Sequence, residues 1–324
     1  MRGDVERALE ILHQQSPDSM ERALALLQDT VFAFSMKACG NPHDAEDTMQ
    51  DVLIKAVRSL PGFEDPSALK VWLYKVARNS CLAHRRRPQS APFVDLSLDA
   101  LMPSEQDMMS LLCAKLPNPE EHTARGETHA LLEQAIQELP HGYRAVLVLH
   151  DMEGLDHSEV AQVTGLREAT VRVRLHRARL YVRSRLAPHL FGTLPGDAAA
   201  AAPPGAHRKL KNCRNLFARL SDYIDGVLED DFCHKLQKHL HECPPCIAFL
   251  ASLEQVVKLC RVYKPNRGST TASRLREELL QEYKAAAETL AGRNVVGAQR
   301  RRGTPIARVP DRLQSQNCRY AQES

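Results

Sequence analysis

The stretch Glu138–Arg179, ELPHGYRAVLVLHDMEGLDHSEVAQVTGLREATVRVRLHRAR, decides how this chain is read. Asp156-His-Ser-Glu159 has the form of a capping box for a short helix from Ser158 to Thr164. Gly165 follows, where a tight turn needs positive φ. A second helix is expected to begin near Arg167 or Glu168 and to run through Arg185. Ala161, Gly165 and Val171 take the small, turn and packing positions of a helix-turn-helix. Leu166, Val171, Leu175, Ala178 and Val182 can bury one face, which leaves Arg167, Glu168, Thr170, Arg172, Val173, Arg174 and Arg177 to enter or flank a DNA major groove. Residues near the start of such a helix touch bases, and the later arginines are better placed for phosphates. A bundle helix with an arginine-rich surface is the competing reading of this pattern by itself.

Upstream lies a second basic helical unit. Asn41-Pro42 supplies an N-cap followed by proline at the first helical position, and Asp44, Glu46 and Asp47 suit the positive end of a helix. Ala45, Met49, Val52, Leu53, Ala56, Val57 and Leu60 form an apolar stripe, opposite Asp44, Asp47, Gln50, Asp51 and Lys55. After a Pro61-Gly62 break, a helix beginning at Ser67 interleaves Trp72 and Tyr74 with Lys70, Lys75, Arg78 and the Arg85–Arg87 run. Aromatics beside cations can stack on exposed bases while the charges hold phosphates. Equally, Trp72 and Val76 can be core, with the lysines as a solvated face.

The chain's 324 residues and its composition fit a mostly helical protein of two or three small domains. Net charge is only +3, but residues 70–87 carry six Lys or Arg and no acid, and residues 166–185 carry seven Arg and one Glu. Such clusters are the footprint of nucleic-acid contact. The opening MRGDVERALEILHQQ lacks a signal-peptide core, and no stretch approaches a membrane span, so a cytoplasmic protein with reduced cysteines is expected. Helical units are expected over 1–87 and 128–187, joined by a Pro-rich linker over 88–127 with seven acids and two bases. An Ala/Pro connector over 188–206 leads to a Cys/His-rich unit over 207–262, then to a helical segment and basic disordered tail over 263–324.

That last unit carries a metal signature. His239, Cys243 and Cys246 form H-x3-C-x2-C, with Cys213 twenty-six residues upstream. His239 and Cys243 share one helix face, and Pro244-Pro245 can fold the chain back to bring Cys246 to the same ion. Cys213 then closes a Cys3His shell, the composition of a structural zinc site. Cys233, His234, His241 and Cys260 lie close enough to compete as ligands or redox partners, or to be filler. Closed coordination with no separate carboxylate–histidine constellation argues against a metal-dependent enzyme.

NPHDAEDTMQDVLIKAVRSL followed by ALKVWLYKVARNSCLAHRRR resembles region 2 of extracytoplasmic-function sigma factors through Asp44, Ala45, Glu46, Asp47, Gln50, Asp51, Trp72, Leu73, Tyr74, Ala77, Arg78 and Asn79. The departure is Met49 with Val52-Leu53-Ile54, which loses the family's usual aromatic. Glu138–Arg179 resembles sigma region 4 from end to end. The resemblance implies an all-α sigma factor without catalytic activity. Its first helix, with Asp44, Asp47, Gln50 and Asp51, would dock on core RNA polymerase. The helix bearing Lys70, Trp72, Tyr74, Lys75, Arg78 and Asn79 would melt the promoter −10 element. The region 4 helix would read the −35 element, and the acidic linker would thread the RNA channel. An ordinary helix-turn-helix regulator would have no reason to carry the WLYKVARN helix. The segment from Cys213 to Cys246, with SDYIDG inside, resembles the zinc-binding anti-sigma domain, which wraps its sigma factor and hides polymerase-binding surfaces. Fused here, it is expected to act on the sigma factor in cis, with a metal or redox trigger.

Overall fold

The computed structural model describes residues 2–14, 16, 18–84, 95–103, 126–190, 213 and 216–265, and among these it is all-α, without strands. The expected linker core, the Ala/Pro connector and the basic tail lie almost wholly outside the described residues.

Helices α1 (Arg2–His13), α2 (Ser19–Cys39), α3 (Pro42–Ser59) and α4 (Pro66–His84) pack together as the N-terminal unit. Asn41 caps α3 as the sequence predicts, its Oδ1 accepting from the Asp44 amide at 2.8 Å, with Pro42 in the first turn. The α3 stripe is buried from Ala45 to Leu60, with only Val57 partly covered. Asp65 starts α4 by accepting from the amides of Ser67 and Ala68, one residue before the expected start. Cys39 and Cys81 are paired as a disulfide between the ends of α2 and α4, a pairing that the expectation of reduced thiols did not include.

The second unit comprises α6 (Gly126–Glu138), α7 (His141–Leu147) with a π-turn continuing it (Val148–Met152), α8 (His157–Thr164) and α9 (Glu168–Leu190). The helix-turn-helix forms as read. Asp156 and Glu159 exchange both capping-box bonds, at 2.8 and 2.9 Å, and Gly165 sits at φ 71°. Val171, Leu175, Ala178 and Val182 are buried. Between the units, the short helix α5 (Leu98–Leu101) lies against α9.

The third unit holds α10 (Leu220–Ile224), α11 (Asp230–Glu242) and α12 (Pro244–Val262) around Phe217, Leu236, Phe249 and Leu253. Cys243 leaves helical geometry at φ −128°, ψ 86°, and α11 and α12 meet at 113°, the reversal that the paired prolines require. No single described helix is long and apolar enough to cross a membrane.

The units are not separate beads. One apolar cluster runs from α1–α4 through α6–α9 to Val256, Leu259 and Cys260 of α12. Gly40, which ends α2 at φ 84°, lies so close to α6 that a Cβ there would stand 1.9 Å from Gln137 Oε1. Gly40→Ala therefore meets both left-handed strain and a clash. A loss of about 1–3 kcal/mol is expected, read as a lowered Tm with the Gln137 seam displaced.

Candidate nucleic-acid interface and metal centre

The start of α9, where base contacts are expected, is its exposed part. Arg167, Glu168 and Val173 are exposed, Val173 to 50%, while Thr170, Arg172, Arg174 and Arg177 are half-buried. Arg172 lies 4.0 Å from Glu168 one turn earlier, and the Arg174 guanidinium stands 5.9 Å from the Tyr143 ring centroid. Arg177 donates to Asp95 Oδ1 at 2.7 Å, and Tyr143 also donates to that carboxylate. These two bonds hold Asp95 below the usual carboxylate range. An acid of the expected linker thus occupies Arg177, one of the cations expected to face DNA.

The later arginines differ from expectation. Arg179 is fully buried, bonding both oxygens of Asp151 at 2.9 and 2.6 Å and both oxygens of Asp225 at 3.0 and 2.7 Å. Arg183 donates to Ser252 Oγ at 2.6 Å and lies 4.1 Å over the Phe249 ring. Both face the third unit rather than phosphate, because the C-terminal half of α9 is the surface on which that unit packs. Burial opposes the charge on Arg179, and the two carboxylates reverse this, raising its pKa; His176 beside it is pushed down to about 4 by burial and by Arg179.

The expected melting helix is partly covered. Lys70 is 7% exposed and ion-paired with Glu159 of α8. Tyr74 is 4% exposed, packs edge-on at 4.8 Å against Phe34, and donates to Glu153 Oε2 at 2.9 Å. Neither side chain is open to nucleic acid in this arrangement, because region from α8 and the π-turn lies over them. Trp72 is half-buried, 5.6 Å from Phe63, between the two readings open for it. Lys75 and Asn79 are exposed, and Arg78 is half-buried. Burial and then the nearby charge of Arg174 lower the Arg78 pKa, so cations of α4 and α9 face each other across the seam.

On α3, Asp47 is exposed and Gln50 half-buried, with Ile54 at 49% exposure beside them. Asp44 takes part in the cap, accepting from Asn41 Nδ2 at 2.6 Å; Asp51 accepts from Ser80 at 2.9 Å and sits 3.1 Å from His84 Nε2. Among the described residues the third unit makes its main contacts with α9 and the π-turn, and Asp47 and Ile54 of this face are exposed, whereas the anti-sigma resemblance implied that polymerase-binding surfaces would be hidden.

The four expected metal ligands converge. Cys213 Sγ is 3.3 Å from His239 Nε2 and 3.9 Å from Cys243 Sγ; Cys246 Sγ is 3.2 Å from His239 Nε2 and 3.4 Å from Cys243 Sγ. A tetrahedral zinc with bonds of about 2.3 Å to sulfur has S···S edges of roughly 3.8 Å, so the set fits with small outward shifts. Cys233, His234, His241 and Cys260 lie outside this cluster. Burial raises Cys213 to about 11, with Cys246 opposing the shift and Cys243 adding to it, so a cation must displace protons to bind. Cys243→Ser with Cys246→Ser is expected to reduce zinc content from about one per chain to near zero and to loosen α11 and α12, since binding energy in such units is folding energy. Full metal retention in the double variant would refute this ligand set.

Comparison with known proteins accords with these units. Residues 24–91 match the family "Sigma-70 region 2", residues 129–181 "Sigma-70, region 4" and residues 213–246 "Putative zinc-finger". The chain is 34% identical to the ECF RNA polymerase sigma factor SigE of Mycolicibacterium smegmatis over 50% of this chain and 59% of that protein. It is 32% identical to the RNA polymerase sigma-H factor of Pseudomonas aeruginosa over 52% of this chain and 89% of that protein. With the ECF RNA polymerase sigma-E factor of Escherichia coli it shares 30% identity over 45% of this chain and 75% of that protein. The chain belongs to the extracytoplasmic-function sigma factors, non-enzymatic transcription initiation factors of the sigma-70 family, and carries a zinc-finger-type domain at its C-terminal side.

Proposed function

We propose that this sigma factor is held shut by its own zinc-binding domain in the cytoplasm, and that a metal or redox change at that domain releases it. The observation that carries the reading is Arg179, fully buried between Asp151 of region 4 and Asp225 of the zinc-finger unit. Through it the C-terminal unit braces the π-turn. The residue just past that turn, Glu153, accepts from Lys37 at 2.8 Å and from Tyr74 at 2.9 Å, fastening region 4 over α4. So fastened, the −10 and −35 readers lie side by side and cannot engage two separated elements of one duplex.

Opening would free Lys70, Tyr74 and Arg78 to join Trp72, Lys75 and Asn79 in handling the −10 element, while the start of α9 reads the −35 element. Asp47 and Gln50 would meet core polymerase, with Asp44 and Asp51 shaping that helix. Repulsion between Arg78 and Arg174 favours opening once the brace is lost. Cys213, His239, Cys243 and Cys246 would hold zinc, and their thiolates are open to oxidants and competing thiophilic metals. A tether through residues 191–212 keeps the domain at roughly millimolar effective concentration, so a weak clamp suffices.

Run-off transcription with core polymerase tests the reading, comparing the full chain with a protein ending at Leu190, zinc-loaded and chelated. The shortened protein and the chelated full chain are expected to transcribe more. A shortened protein that keeps its helical circular dichroism yet transcribes less would overturn inhibition in cis and assign the domain a supporting role.

A further inference from the structure

We propose that His150, His157 and Asp225 form a second divalent-cation site, distinct from the Cys3His cluster, at the seam between region 4 and the zinc-finger domain. The proposal rests on the docked arrangement just described. One ligand atom from each of the three residues lies within 4.8 Å of the others. The imidazole rings stand 4.6 Å apart, and His157 Nε2 is 3.4 Å from Asp225 Oδ2. All three side chains are withdrawn from solvent, at 12%, 8% and 3% exposure.

Two further observations point to a cation. Asp151 and Asp225 are both buried against a single guanidinium, that of Arg179, while the nearby Asp222 has its own partner in Arg219 at 3.0 Å. Two buried carboxylates thus share one guanidinium, an arrangement that a further cation at the seam would stabilise. Secondly, His150 Nδ1 lies 2.9 Å from Asp151 Oδ1. Both Asp151 oxygens accept from Arg179, at 2.9 and 2.6 Å, so this carboxylate is an acceptor. The histidine therefore donates the 2.9 Å bond, which is shorter than the 3.4 Å approach of Arg179 Nη2 to the same nitrogen. A carboxylate that fixes one imidazole nitrogen as donor leaves Nε2 with its lone pair, the arrangement that orients metal-binding histidines.

Two imidazoles and one carboxylate suit Zn²⁺, Co²⁺, Ni²⁺ or Cu²⁺ rather than Mg²⁺ or Ca²⁺. Because His150 and His157 belong to region 4 and Asp225 to the zinc-finger domain, the cation binds only the docked state. At 100 times its Kd it would shift docking about 100-fold toward the closed form. The second site would then act as a co-inhibitor reading free metal, with Arg179 keeping its bonds to Asp151 and to Asp225 Oδ1.

Titration with Co²⁺ of the full chain carrying a single equivalent of zinc tests this. One equivalent is expected to bind with visible d–d absorption and no thiolate-to-cobalt charge transfer, which would instead mark cobalt in the Cys3His cluster. His157→Gln and Asp225→Asn should abolish the equivalent while retaining the original zinc; His234→Ala, at a histidine outside the seam, should keep it. Absence of a second equivalent, or its persistence in His157→Gln, would overturn the site. Failure of inhibition in cis is read separately, as equal run-off transcription by the full chain and the protein ending at Leu190.

Discussion

Glu153→Ala is expected to open the full-length protein and raise its transcription toward that of the chain ending at Leu190. Glu153 is fully buried at its side chain and satisfies Lys37, itself 6% exposed, as well as the Tyr74 hydroxyl. Removing one partner of a buried ion pair costs about 3–5 kcal/mol, because the other charge is left without compensation. Here the penalty falls on the closed state alone, since Lys37 and Tyr74 meet water once region 4 moves away. Glu153→Gln should give a smaller gain, as the amide can still accept from Tyr74. Run-off assays with the three proteins check the order. A variant with lowered Tm but unchanged transcription would mean that the seam stabilises the fold without gating it.

Arg179→Ala is expected to have an effect of similar size, about 3–5 kcal/mol, by stranding Asp151 and Asp225. Undocking lets Asp225 reach solvent, so the zinc-finger unit should leave α9 while its metal, bound elsewhere in the unit, is retained. Arg179→Lys should not rescue docking. Four bonds to two carboxylates need the planar fork of a guanidinium, which an ammonium cannot supply. Size-exclusion chromatography with zinc analysis on each variant separates the two losses. Loss of zinc together with undocking would place Arg179 in the unit's own stability instead.

Features set by neighbours along the chain were legible in the sequence. The Asp156–Glu159 capping box, Gly165 at positive φ, the Asn41 cap and the apolar face of α3 each follow from a few adjacent residues. The Cys3His cluster was legible for the same reason, since three ligands sit within eight residues around two prolines and only Cys213 comes from afar. What could not be read was which charged residues are enclosed. Helix α9 carries arginines on all sides, so periodicity does not separate Arg172 and Arg174 from the enclosed Arg179 and Arg183. Lys70 and Tyr74 look solvent-facing until Glu159 and Glu153, distant in sequence, close over them. A clue was present in the acids: Asp151, Glu153 and Asp225 accompany apolar runs, where an unpaired carboxylate would be costly. The Cys39–Cys81 pairing spans 42 residues and leaves no local signature.

The closed arrangement is tested most directly by brief acetylation of native protein followed by peptide mass spectrometry. Lys37 and Lys70 are enclosed by Glu153 and Glu159, while Lys55 and Lys75 on the same two-helix unit are exposed. In the zinc-loaded full chain, Lys37 and Lys70 are predicted to react far more slowly than Lys55 and Lys75. In the protein ending at Leu190, and in Glu153→Ala, Lys70 should approach the rate of its exposed neighbours. Equal reactivity of Lys70 and Lys75 in the zinc-loaded full chain would contradict the account.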